Sequence, residues 1–288
     1  MKRAKKLYSH FGKAIKRPEI SILPGQLSFY FLMSLVPIIA LTSLIAAKIV
    51  TGLNLTNVFA SFLPASLSNI FISTVRSASS YNNLFLLLFL YIFLGSNGPM
   101  AIITASNTLY GLKRKGWVET KLKAMFMTIV MIILLLFLCL IPVGGNFLLT
   151  FLAQHYTFFK KVYEFGPLYY SIKYVLSFFV IYISCKLLYT MAPNKKVKSR
   201  DTTIGAVFTS VTWIISSELL LFYFSKVATY SALYGNFANI LILLLWVYLL
   251  AYLFVIGMAL NIDWYKREDE EGEIDESMDI KKDQDNKK

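Results

Sequence analysis

Six apolar runs, each twenty residues or longer, leave this chain few ways to fold. A helix crossing about 30 Å of hydrocarbon needs roughly 20 apolar residues. The runs cover residues 26–50, 84–110, 122–142, 168–191, 202–225 and 237–262. Lipid offers the backbone no hydrogen-bond partner, so each run is expected to be helical. Composition agrees: 57% of residues are apolar and 16% charged, where a soluble domain carries about 45–50% and about 25%. The expected fold is therefore all-α, a polytopic membrane protein with six transmembrane helices.

Basic residues set the orientation. Residues 1–25, the connections after the second and fourth runs, and the tail, counted with Lys123 at the start of the third run, hold 22 Lys and Arg, whereas the other three connections hold Arg76, Lys160, Lys161 and Lys226. Both termini are thus expected in the cytoplasm. The net charge of +13 becomes a topology code, and no nucleic-acid partner is needed to explain it. Trp117, Tyr189, Trp264 and Tyr265 are expected at the inner interface, and Tyr163, Tyr169, Tyr170, Tyr230 and Tyr234 at the outer one.

Outside the spans, residues 1–25 form a basic amphipathic segment. Ala4, Leu7, Phe11 and Ile15 recur at helical spacing, which suits a helix lying on anionic inner-leaflet headgroups; membrane lipids are the partner this implies. The apolar connection 51–83, broken at Pro64, and the stretch after Pro142 suit short outer interfacial helices. Residues 263–288 hold eleven acidic and six basic residues with no periodicity, which predicts a disordered cytoplasmic tail. The sequence leaves oligomeric state open, a homo-oligomer included.

Polar groups inside the spans are costly and point to function. Glu218 is the one acidic residue within a run, and Lys48 and Lys173 lie near outer span ends. These three are expected either to line a cavity, with Glu218 paired to a lysine, or to snorkel and face the bundle. The second run is interrupted near the bilayer midplane by Gly95, Ser96, Asn97, Gly98 and Pro99. Such breaks build substrate sites in transporters, or are plain kinks satisfied by neighbouring helices. Here the glycines are expected to loosen packing and expose Ser96 and Asn97. Pro37 and Pro142 are expected to kink their helices. Asn107, Asn236, Asn239 and Asn261 read as interhelical glue. Cys139, Cys185, His10 and His155 show no ligand spacing, and no nucleotide-binding or hydrolase motif occurs, so neither metal nor cofactor is expected.

Several short motifs resemble one family. They are Leu27-Ser28-Phe29-Tyr30 with Ser34-Leu35-Val36-Pro37, Asn107-Thr108-Leu109-Tyr110-Gly111, Pro193-Asn194 with Gly205-Ala206, Tyr234-Gly235, Leu244-Leu245-Trp246-Val247-Tyr248, and Gly257-Met258-Ala259-Leu260-Asn261. In this order they resemble the YihY/virulence factor BrkB family of bacterial inner-membrane proteins. The family often carries an acidic residue where this chain has Ala259, so no charge role transfers there. The resemblance implies six helices in the cytoplasmic membrane and no settled activity. Some members have been labelled ribonuclease BN; others are linked to envelope function and lipid-linked transport. A nuclease would need metal ligands or an acid–base pair, which residues 1–262 do not offer. Two readings stay open: a transporter or lipid flippase, and a non-transporting membrane scaffold.

Overall fold

In the computed structural model, the described residues are 12, 16–49, 84–113, 115–134, 166–227 and 241–262. A 3₁₀ turn, Pro18–Ser21, leads into α1, Leu23–Ile49. The second run is two helices, α2 (Leu84–Gly95) and α3 (Asn97–Leu109), with Ser96 as the only non-helical residue between them. Residues 117–134 form α4. Gly166–Met191 is α5, Thr203–Val227 is α6, and Leu241–Ile262 is α7. Five stretches among the described residues are long and apolar enough to cross a membrane, lying in α1, α2–α3, α5, α6 and α7.

The bundle is apolar on its outside. On α4 the exposed side chains Val118, Leu122, Phe126, Ile129 and Ile133 recur at helical spacing; on α5 the series is Val175, Phe179, Ile183 and Leu187; on α6 it is Val207, Val211, Ile215, Leu219 and Phe222. Stripes of this size on three helices would associate in water. Facing acyl chains, they need no partner.

What holds the helices together is close backbone approach and buried polar pairing, as expected where lipid removes most of the hydrophobic drive. Gly205 on α6 packs directly on Gly257 of α7, so a Cβ at Gly205 would collide with the Gly257 carbonyl. Asn261 Oδ1 accepts from Gly205 N at 2.7 Å, which makes Asn261 the interhelical glue its residue type suggests. Tyr189 is a correction to the aromatic belt. It lies fully inside the bundle, its hydroxyl donating to Phe254 O at 2.8 Å and paired with Thr209 Oγ1 at 2.7 Å. The phenol finds both a donor and an acceptor there, so burial is satisfied. Phe254 meets the rings of Phe31, Tyr189 and Trp213 and so ties α1, α5, α6 and α7 to one point.

Pro37 lies inside α1, which runs through it uninterrupted. The C-terminal end of α3 closes with Gly111 at φ +66°, and Leu112 N donates to Asn107 O at 2.8 Å. That is the six-to-one bond of a helix terminator needing a left-handed residue. Residues 1–11 and 13–15 of the amphipathic N-terminus, the stretch 51–83, Pro142 with its following piece, Asn236, Asn239 and the tail lie outside the described residues.

Gly257→Ala is expected to destabilise the fold by about 1–3 kcal/mol, because the new methyl has no room against Thr209 Oγ1 and Tyr189 Oη. Gly25→Ala, with open space around it, should leave the melting temperature in detergent unchanged. Thermal unfolding of the two variants side by side checks this.

Candidate functional site

The break in the second run is built by Pro99. It has no N–H, so the Gly95 carbonyl loses its helical donor. The ladder nevertheless resumes at once: Ser96 N donates to Ile92 O at 3.0 Å and Met100 N to Ser96 O at 2.9 Å. Two expectations are corrected here. Ser96 is not exposed but fully buried, with its Oγ donating to Phe93 O at 2.7 Å. Gly95 and Gly98 do not loosen the packing; they let α1 come close. A Cβ on Gly95 would meet Ile38 Cγ1 at 3.1 Å, and one on Gly98 would collide with Ser34 Oγ.

Asn97 is half-buried, and its partner is a residue that sequence reasoning assigns to a basic loop. Lys121, on the second turn of α4, donates from Nζ to Asn97 Oδ1 at 2.9 Å and to Phe93 O at 2.9 Å. Its ammonium also lies 4.2 Å from the centroid of the Phe93 ring. The residue is only 5% exposed. A cation here meets the partial negative charge at the C-terminal end of α2, and one ammonium bridges the two halves of the broken span. α3 is 13 residues long, about 20 Å at 1.5 Å per residue, so the clamp sits deep in the bundle relative to the end of α3.

Two residues further along α4, Lys123 points elsewhere. Its Nζ donates to Ala192 O and Pro193 O, both at 2.8 Å, and to Asn194 Oδ1 at 3.3 Å. These carbonyls follow the last turn of α5. Asn194 N in turn donates to Asn107 Oδ1 at 2.9 Å, and Arg17 Nη1 donates to Leu109 O at 3.3 Å, at the end of α3. Lys195 lies over the Tyr110 ring at 4.5 Å. Arg17, Lys121 and Lys123, expected as loop charges, thus meet the carbonyls that helix ends leave without intrahelical donors. The signal was available: a lysine within two turns of an apolar run can reach inward as easily as outward.

Beside the clamp, an open cleft of about 230 Å³ separates α3 from α4. Met100, Thr104 and Asn107 line it from one face of α3, and Lys115, Trp117 and Thr120 from the other side. Lys115 contacts the Glu119 carboxylate one turn on.

Glu218 lies on the outward side of α6 and accepts from Tyr174 Oη of α5 at 2.8 Å. Lys48 and Lys173 are on the helical backbone of α1 and α5, and their side chains lie outside the described residues. Among the described residues Glu218 and Asn97 have separate hydrogen-bond partners, Tyr174 and Lys121. Lys186, a further lysine within an apolar run that sequence reasoning passes over, donates to Tyr182 Oη at 3.1 Å. No group of three or more His, Cys, Asp or Glu side chains is placed to hold a metal ion among the described residues.

An apolar exterior, helices long enough to span, and polar groups turned inward to helix ends define a polytopic α-helical membrane protein. The virulence factor BrkB family model matches residues 12–280, and the chain belongs to that family. It is 32% identical over 248 residues to the ribonuclease-like protein YfkH of Bacillus subtilis (strain 168), covering 84% of this chain and 89% of that protein. A UPF0761 membrane protein of Idiomarina loihiensis shares 34% identity over 88 residues, 31% of this chain and 30% of its own length. One of Chromobacterium violaceum shares 45% over 64 residues, 22% of this chain and 15% of its own length. No solved structure matches the chain.

Lys121→Met leaves the Phe93 carbonyl and the Asn97 amide without their shared donor, and is expected to cost about 1–3 kcal/mol. Asn97→Ala added to it should cost little more, because the pair acts as a unit. A double-mutant cycle on unfolding in detergent reads this coupling. Additive losses would show that the two residues act independently.

Proposed function

We propose that the protein is a transporter or lipid flippase of the bacterial cytoplasmic membrane, with six crossings and both termini in the cytoplasm. The single observation that carries this is the Lys121 clamp on the broken second span. The ammonium holds the break together, and an ionisable group kept inside a membrane bundle also marks a place where a site binds or rearranges. The sixth crossing is α4. Its early charges disfavour insertion, yet Lys121 and Lys123 meet carbonyls of neighbouring helices, and the residues after them are largely apolar. The end carrying the 110–116 and 192–202 connections is the cytoplasmic one, because it holds the excess of Lys and Arg.

Lipid is the favoured substrate class, because α4 carries both the clamp lysine and an outward apolar stripe on which acyl chains can stay. Polar groups there clamp and orient, and no cleavage step is assigned. The alternative, a non-transporting scaffold, has its own observation: Glu218 and Tyr174 pair on the outside of the bundle, where a partner helix would reach them.

Full-length protein in liposomes, assayed together for lipid scrambling and ion flux, separates the two readings. Scrambling above protein-free vesicles is expected, with a loss of roughly tenfold or more in Lys121→Met, about 1.4 kcal/mol in barrier height. Glu218→Gln should leave that rate unchanged. An inert wild type whose co-purifying membrane partner is lost in Glu218→Gln would establish the scaffold instead.

A further inference from the structure

We propose that the basic face formed by the 110–116 and 192–202 connections is a docking surface for the chain's own acidic segment, residues 268–280. The inference goes beyond the transport reading and does not depend on it.

Contacts join three stretches into that face. Asn194 N donates to Asn107 Oδ1 at 2.9 Å and Lys195 lies over the Tyr110 ring, so the 192–202 connection sits against the end of α3. Arg17 Nη1 reaches Leu109 O at 3.3 Å, which brings the chain entering α1 to the same place. These stretches carry six exposed cations: Lys16, Lys113, Lys115, Lys196, Lys198 and Arg200. Among the described residues the exposed carboxylate on this face is Glu119, beside Lys115; Asp201 is buried and Glu19 half-buried. The face is left with an excess of positive charge.

A counter-charge is tethered within reach. α7 ends at Ile262, and Asn261 accepts from Gly205 N at 2.7 Å, five residues along the chain from Arg200. The chain therefore leaves the bundle next to the 192–202 connection. Glu268 follows six residues after Ile262, a span of roughly 20 Å when extended. From Glu268 to Ile280 the sequence holds eight Asp and Glu and no Lys or Arg, so these carboxylates have no basic neighbour within their own segment.

Single exposed ion pairs are weak. A short tether, however, holds the segment at roughly millimolar effective concentration, and its charges meet the six cations together. A bilayer surface bearing anionic lipid repels the segment, which leaves the protein face as the attractive surface within reach. Docked there, the segment lies beside the α3–α4 cleft, because Lys115 belongs to both. Such a contact is salt-sensitive, since the screening length falls from about 10 Å at 0.1 M to about 3 Å at 1 M.

The test is photo-crosslinking of full-length protein carrying Ile274→p-benzoylphenylalanine, in detergent and in vesicles of phosphatidylglycerol or phosphatidylcholine. Intramolecular cross-links to residues 110–116 and 192–202 are expected in all three, and are expected to disappear at 1 M salt. Lys196→Gln/Lys198→Gln/Arg200→Gln should lower their yield roughly fivefold, the ratio that three weak exposed pairs supply together. Glu268→Gln/Glu270→Gln/Glu271→Gln, which changes nothing in the bundle, should do the same. Absence of these cross-links, an unchanged yield in either variant, or insensitivity to salt overturns the proposal. A cross-linked dimer on a denaturing gel assigns the segment to a second copy of the chain. Cross-links kept in phosphatidylcholine but lost in phosphatidylglycerol assign the face to lipid headgroups. Either of these results overturns the proposal as well.

Discussion

Buried ammonium groups donating to helix-end carbonyls are the interaction on which the arrangement of this bundle depends. A helix that stops or breaks away from water leaves carbonyls that lipid cannot satisfy. Lys121 serves the C-terminal end of α2, and Lys123 serves the carbonyls just past α5. Each bond does two things at once. It discharges a desolvation cost, and it fixes one helix against another, since donor and acceptor come from different elements.

α4 gains a particular role from this. Two positions apart on a helix are separated by about 200°, so Lys121 and Lys123 leave opposite sides of α4. One reaches the α2–α3 break and the other the end of α5. α4 is therefore a strut between the group α1–α2–α3 and the group α5–α6–α7. The second group is closed by the Gly205–Gly257 approach with its Asn261 bond and by Tyr189, contacts that leave no slack for sliding. The first is tight where Gly95 and Gly98 admit α1, and across the break in its central span one side-chain ammonium adds to the backbone bonds at Ser96. The clamp is the joint whose opening would disturb least else. The cleft lies along the same α3–α4 boundary, which is why clamp and cleft are read as parts of one site.

Membership in the virulence factor BrkB family leaves the chemistry to be argued from the residues. The relative matched along most of its length bears a ribonuclease-like name, while others bear only a membrane-protein one. Lys121, Lys123, Tyr189 and Asn261 are engaged in joining helices.

Hydropathy alone was enough to mark the spans that α1, α5, α6 and α7 occupy, because a bilayer imposes one length and one polarity on whatever crosses it. The glue role of Asn107 and Asn261 was legible for the same reason: an amide in hydrocarbon must find a partner. The position of the break at Ser96 followed from Pro99 and its missing donor. Side-chain direction was not legible. Lys121 and Lys123 read as loop charges because a lysine beside a span can extend to water or fold inward, and only the carbonyls presented by α2 and by the end of α5 decide which. Tyr189 misled as a belt residue because its hydroxyl finds Thr209 and Phe254, far away in sequence. Gly95 and Gly98 suggested looseness, yet whether a missing side chain makes a gap or a contact depends on what packs there, and that is α1. The sequence by itself determined a helical membrane protein and where its chain breaks; the tertiary structure decided which buried groups hold that break, because their partners come from helices that meet only in the folded bundle.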